Sequence, residues 1–260
     1  MTQQSSQRFP PIPAVMSDPF EWIFIPSGSV GLVFPPYYPM LSRDPIIVEV
    51  EPFYIAKYLV TNEQYAIYVR ETGRKPEHTN LWDKSQFNQP LQPVIDLRWQ
   101  EAMLFCQWLS HKAGYLITLP THAQWQRAAQ GDDNRHYPWG NEWDVNRCNT
   151  GESRIGHTTP VTTYPQGASP YGVMDMVGNA CEWCLTNAKT GSNSVDWDVT
   201  ETDKIPEKLM NETFIFRGGS FNTSTRSVDV IQYGATPIFW PYLTGIRLVT
   251  ETGSIDSSVK

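Results

Sequence analysis

The chain has 260 residues, of which 40% are hydrophobic and 18% charged, a balance that argues against a disordered or low-complexity protein. Its formal net charge of −7, with no Lys/Arg-rich run, argues against nucleic acid as a partner, and no apolar stretch reaches the roughly 18 residues a membrane helix needs. Ten Trp, 12 Tyr and 11 Phe beside 21 Pro and 17 Gly predict long loops packed around aromatic side chains.

In chain order, residues 1–18 are polar and proline-bearing and read as a flexible tail without a signal-peptide pattern, which predicts a cytoplasmic protein. Phe20 to Pro26 reads as a first strand, and Val48 to Tyr58 alternates as a second. Thr61 with Gln64 is a capping box: a hydroxyl at the cap and an amide three residues on satisfy each other's backbone donors. The helix it opens runs to Glu71 before Gly73, with Tyr65, Tyr68 and Val69 on one face. A second helix spans Gln100 to Lys112 and ends at Gly114, its apolar stripe being Ala102, Phe105, Cys106 and Leu109. Thr121 with Gln124 opens a third, to Gln130.

Regular periodicity then fades, and 131–184 reads as ordered loop. Residues 185–213 are polar and acidic and read as an exposed insertion. Phe214 to Arg217 and Gly245 to Val249 are short strand signals, and 251–260 reads as a second tail. The cysteines Cys106, Cys148, Cys181 and Cys184 read as buried thiols. Cys181 and Cys184 have CxxC spacing, but no second such pair or His pair accompanies them.

Several runs occur in one order over residues 20–249. They are Val60 to Tyr65, Pro93 to Leu109, Leu119 to Ala129, Tyr137 to Asn141, Ser169 to Gly172, Val177 to Trp183, Arg217-Gly-Gly-Ser220 and Gly245-Ile-Arg247. Together they resemble the formylglycine-generating-enzyme (sulfatase-modifying factor) family of the C-type-lectin fold. The resemblance implies an α+β, loop-rich domain over 19–250 with a few helices and short antiparallel sheets. Arg217 and Arg247 read as buried and satisfied by carbonyls or carboxylates.

The resemblance also sets an expectation about chemistry. Oxidising members of that family use a copper-binding cysteine pair just after the Gly-Gly-Ser motif, and those positions fall here on Thr223 and Val228. Neither side chain can be a thiolate, so neither copper nor oxidase activity is expected. A second branch uses a three-histidine iron site, and His78, His111, His122, His136 and His157 show no matching spacing. Family members often hold calcium through oxygen donors, and one such site maps onto Asp175, Gly178, Ala180 and Glu182, with Asp175 where the family often has Asn. A second maps near Asn146, Arg147, Ser153 and Ile155, with Ser153 in place of the expected acid.

A third branch comprises the variable proteins of diversity-generating retroelements. There a reverse transcriptase mutates adenines between the Arg-Gly-Gly-Ser motif and the final Gly-Ile-Arg strand, and the mutated codons cannot encode Lys, Glu, Gln, Met or Trp. Residues 221–244 occupy that place. Those five types make up about a fifth of the whole chain, yet only Gln232 and Trp240 occur in this stretch. It is also apolar and aromatic, which suits a binding surface. The expected contact residues are Thr223, Ser224, Thr225, Val228, Asp229, Ile231 and Tyr233, followed by Thr236, Ile238, Phe239, Trp240, Tyr242, Leu243 and Thr244. The expectation is therefore a macromolecular ligand, most naturally a protein. A fixed, non-catalytic binding module and an oxidoreductase of altered chemistry are the alternatives, and core filling is the alternative for the aromatic side chains.

Overall fold

A computed structural model describes residues 9–33, 44–76, 81–193, 209, 211–238 and 243–252. Strands β1 (Trp22–Ile25), β4 (Phe53–Ala56) and β9 (Val249–Glu251) form one antiparallel sheet around β4. β2 (Gly28–Leu32) and β3 (Ile46–Val50) form a separate antiparallel pair. The third sheet runs β7-β6-β5-β8, built from β5 (Cys181–Asn187), β6 (Thr213–Arg217), β7 (Tyr233–Pro237) and β8 (Thr244–Gly245). Only β5 and β8 run parallel in it.

The three helices start where local chemistry places them. In α1 (Asn62–Thr72) the Gln64 amide N–H donates to Thr61 Oγ1, and Gln64 Oε1 accepts from the Thr61 amide at 2.9 Å. The helix stops at Gly73, whose φ of 76° is the left-handed cap that glycine takes without strain. α2 (Trp99–Ala113) buries Ala102, Phe105, Cys106 and Leu109, as its stripe predicts. α3 (His122–Gln130) repeats the capping box with Thr121 and Gln124. Its Trp125 is fully buried between the helix and the third sheet's core.

Four expectations need correction. The 48–58 stretch is two strands, because Pro52 offers no amide to a ladder and the chain changes sheets there. The segment read as a tail through residue 18 is docked from residue 10: Pro10, Pro13 and Met16 are buried. Tyr115 Oη donates to the Pro11 carbonyl at 2.6 Å, and Gln64 Nε2 to that of Ser17 at 2.7 Å. The expected insertion begins too early at residue 185, since Leu185 to Asn187 complete β5 and Thr186, Asn187 and Ala188 are buried. Residues 194–208 and 210 lie outside the described residues. The final strand signal yields only its ends, β8 and β9, with Ile246 and Leu248 buried between them.

One large core lies against α1 and α2, where Trp99 stacks on Phe214 with ring centroids 3.9 Å apart. A second fills the space between α3, the first sheet and the inner face of the third. Among the described residues no helix is long and apolar enough to cross a membrane.

Candidate functional site

The site grows from the end of β6. Arg217 closes the strand, and Gly218 and Gly219 follow with φ of 83° and 68°, a reversal that side-chain-bearing residues resist. A Cβ on Gly218 would also press on Trp125 at 3.2 Å. The chain then loops back to β7 and is held along its length by fixed groups. Ser220 N donates to Thr223 Oγ1 at 2.8 Å, and Gly151 N to the Thr223 carbonyl at 3.0 Å. Glu152 Oε1 accepts from Thr225 N at 2.9 Å. Asp229 Oδ1 accepts from both Ile231 N and Gln232 N, at 2.8 and 2.7 Å. Val230 N donates to the His136 carbonyl.

Between this loop and the sheet lies an open cleft of about 200 Å³. From the expected contact residues it takes Thr223, Val228, Asp229 and Tyr233. Cys181, Phe216, Ser227, Gln232 and Gly234 line it too, and sequence reasoning missed them. They come from three strands and a loop, so no single periodicity groups them.

The remaining expected positions divide. Ser224 is exposed, and Thr225, Ile231 and Leu243 are half-buried. Val228, Thr236, Ile238 and Thr244 are buried. Val228 packs with Cys148 and Val177, Ile238 joins the large core, and Thr244 Oγ1 donates to the Leu97 carbonyl at 2.8 Å. Phe239, Trp240 and Tyr242 lie outside the described residues.

Thr223 and Val228, where the resemblance would place a cysteine pair, supply a hydroxyl held by Ser220 and an apolar side chain. Cys181 is the thiol in the cleft. Burial, then the Glu182 carboxylate, pushes it up to about 12, so it carries little thiolate at neutral pH. All four cysteines are free and buried.

Beneath the cleft sits Arg217, whose guanidinium lies 4.7 Å over the Trp125 ring. It donates to Gln126 Oε1 and to the Val230 and Ile231 carbonyls, and it meets His122 Nδ1 at 3.1 Å. Burial lowers Arg217 to about 10 and, with Arg217 beside it, holds His122 well below the ordinary imidazole range. His122 is therefore neutral and accepts from the arginine.

The expected calcium ligands take another form. Arg247 grips Glu182 with two bonds, Nε to Oε2 and Nη2 to Oε1, both 2.7 Å, with both side chains 0% exposed. Trp125 Nε1 donates to the same Oε2 at 2.7 Å. The glutamate's charge is thus balanced within the fold, with Oε2 accepting two bonds and Oε1 one. Asp175 accepts from Asn179 Nδ2 at 2.9 Å, and burial pushes its carboxyl up to about 7. At the second expected site, Ser153 Oγ is engaged by Cys148 O and Thr150 N, while Asn146 and Arg147 bond Asp144. Among the described residues no group of three or more His, Cys, Asp or Glu side chains could hold a metal ion.

Comparison with known proteins places this geometry. The family model of the sulfatase-modifying factor enzyme 1-like domain matches residues 16–252. The formylglycine-generating enzyme of Thermomonospora curvata is 28% identical over 69% of this chain and 74% of its own length. The inactive C-alpha-formylglycine-generating enzyme 2 of Bos taurus is 26% identical over 52% of this chain and 60% of its own. The solved structure of Treponema denticola variable protein 1 superposes with a TM-score of 0.66 at 19% identity, covering 89% of this chain and 95% of that one. The shared architecture is the loop-rich α+β fold of the C-type-lectin type.

Proposed function

The chain belongs to the sulfatase-modifying factor enzyme 1-like domain family, and within it we propose that this chain is a non-catalytic binding protein. In this reading it displays residues 221–238, and the segment through residue 244, to a protein ligand, as the variable protein of a diversity-generating retroelement. The observation that carries it is the loop after Gly219. Its cysteine-pair positions are Thr223 and Val228, while the same loop opens a cleft to solvent and has its backbone tied down by Glu152, Ser220 and Asp229. A rigid loop around a cleft is what a recognition surface needs. A cytoplasmic location belongs to the same reading, supported by four free buried thiols.

The test is genetic. A near-copy of the coding segment for 217–249 and a reverse transcriptase gene are expected beside this gene, with sibling sequences differing chiefly within 221–244. Invariant siblings and no near-copy would leave a fixed binding module. Relatives named formylglycine-generating enzymes favour a catalytic reading. That reading predicts copper-dependent oxidation of a cysteine-containing peptide by the purified protein, and the binding reading predicts none.

A further inference from the structure

The two-stranded sheet β2–β3 is engaged on one side only. Beside β2, Arg127 donates to the Pro26 and Ser27 carbonyls and Gln126 Nε2 to that of Gly31. β3 pairs with β2 from Ile46 to Val50, and among the described residues no further hydrogen bond reaches the main chain of 46–51. Every second residue of an antiparallel strand directs its N–H and C=O away from its partner, so β3 carries a row of open donors and acceptors. The usual guards of an edge are missing there: no lysine stands on β3, and no bulge breaks its register with β2. A groove of about 430 Å³ lies beside the strand, bounded across from it by the start of α3, Asn193 and Glu251. Val48 and Val50 face the core under α3, while Ile47, Glu49 and Glu51 alternate on the outer face, with Ile47 66% exposed. Neither Glu49 nor Glu51 forms an ion pair among the described residues.

We propose that β3 takes up an extended basic segment of a partner protein as an added strand, with lysine or arginine opposite Glu49 and Glu51 and an aliphatic side chain opposite Ile47. Main-chain bonds supply the pairing, and the cross-strand charge pairs select the partner. Charge singles out this occupant. Residues 44–52 hold no basic side chain, so a second copy laid along the same edge would set acids beside acids. Residues 194–208, which follow Asn193 at the groove's rim, hold five acids against two lysines and match it no better. This surface shares no residue with the cleft after Gly219, and the proposal stands apart from the binding reading above.

The experiment titrates the ¹⁵N-labelled full chain with the capped peptide Lys-Val-Lys-Val-Ile, which lies antiparallel with its lysines opposite Glu51 and Glu49, and in parallel with Glu-Val-Glu-Val-Ile. The basic peptide should shift the amides of residues 46–51 and slow hydrogen exchange at the outward-facing ones, and the acidic peptide should do neither. The double variant Glu49→Lys, Glu51→Lys changes only exposed side chains and should weaken the basic peptide about fivefold while gaining the acidic one. The comparison of the two peptides on the unaltered chain stands whether or not that variant folds. Equal binding of both peptides, no shift along 46–51, or an unchanged preference in the double variant would each overturn the proposal. So would slow exchange of all β3 amides in the free chain: in a dimer it would mean that a second copy covers the edge, and in a monomer that the chain covers it itself.

Discussion

Glu182 and Arg247 are 65 positions apart in sequence and share two 2.7 Å bonds at zero exposure. Their mutual neutralisation offsets the cost of taking both charges out of water, so either one alone is a liability. Glu182→Gln should destabilise the fold by about 3–5 kcal/mol in chemical denaturation. A loss below about 1 kcal/mol would show that water reaches the pair. Asp175 poses the reverse problem. Its carboxyl is raised to about 7 by burial, above the roughly 3.9 of an unfolded chain, so the folded state binds the proton more tightly between those values. Stability from that proton is fully present below about pH 4 and is lost as pH rises through about 7, on the order of 4 kcal/mol in all. Asp175→Asn, which also suits the φ of 56° there, should flatten this part of the stability–pH curve and raise stability at pH 8. An unchanged curve would mean that another group sets it.

Elements were legible in proportion to how local their causes are. Each helix bounded by Thr61 or Thr121 is declared by a hydroxyl and a glutamine within one turn, and Gly73 and Gly114 mark ends by backbone conformation alone. Strands depend on partners elsewhere: residues 48–58 read as one strand, but Pro52 divides them between two sheets, one completed by β2 and the other by β1 and the distant β9. The β6–β7 pairing carries its own test. Gly234 stands opposite Phe216, whose ring occupies the space a Cβ would need. Gly234→Ala should cost about 1–3 kcal/mol by overpacking and reshape the cleft wall. Thermal unfolding reads the first, and amide chemical shifts of residues 216–234 the second. A neutral Gly234→Ala would show that the ring swings away freely.

Over the whole molecule, the family motifs could be read in order while the site they frame could not. The expected calcium set had plausible oxygen donors at plausible spacing, but nothing within Asp175 to Glu182 signals that Arg247 claims the glutamate. The cleft likewise draws Cys181 from one strand, Phe216 from the next and Asp229 from a loop, a grouping that exists only after folding. The loop-rich half and the segment after Gly219 meet at Glu152, which reaches across 73 positions to the Thr225 amide. Glu152→Ala should speed hydrogen exchange at Thr225 and its neighbours while core amides of α2 stay protected, and unchanged exchange there would remove Glu152 as an anchor.

That anchorage has an evolutionary consequence. Glu152 lies outside the segment it steadies, and it grips the main chain at Thr225, an atom every amino acid other than proline supplies. Inheritance can rewrite the side chain at such a position while the path of the polypeptide stays where it was. A lineage of proteins could thus exchange one set of contacts for another without refolding.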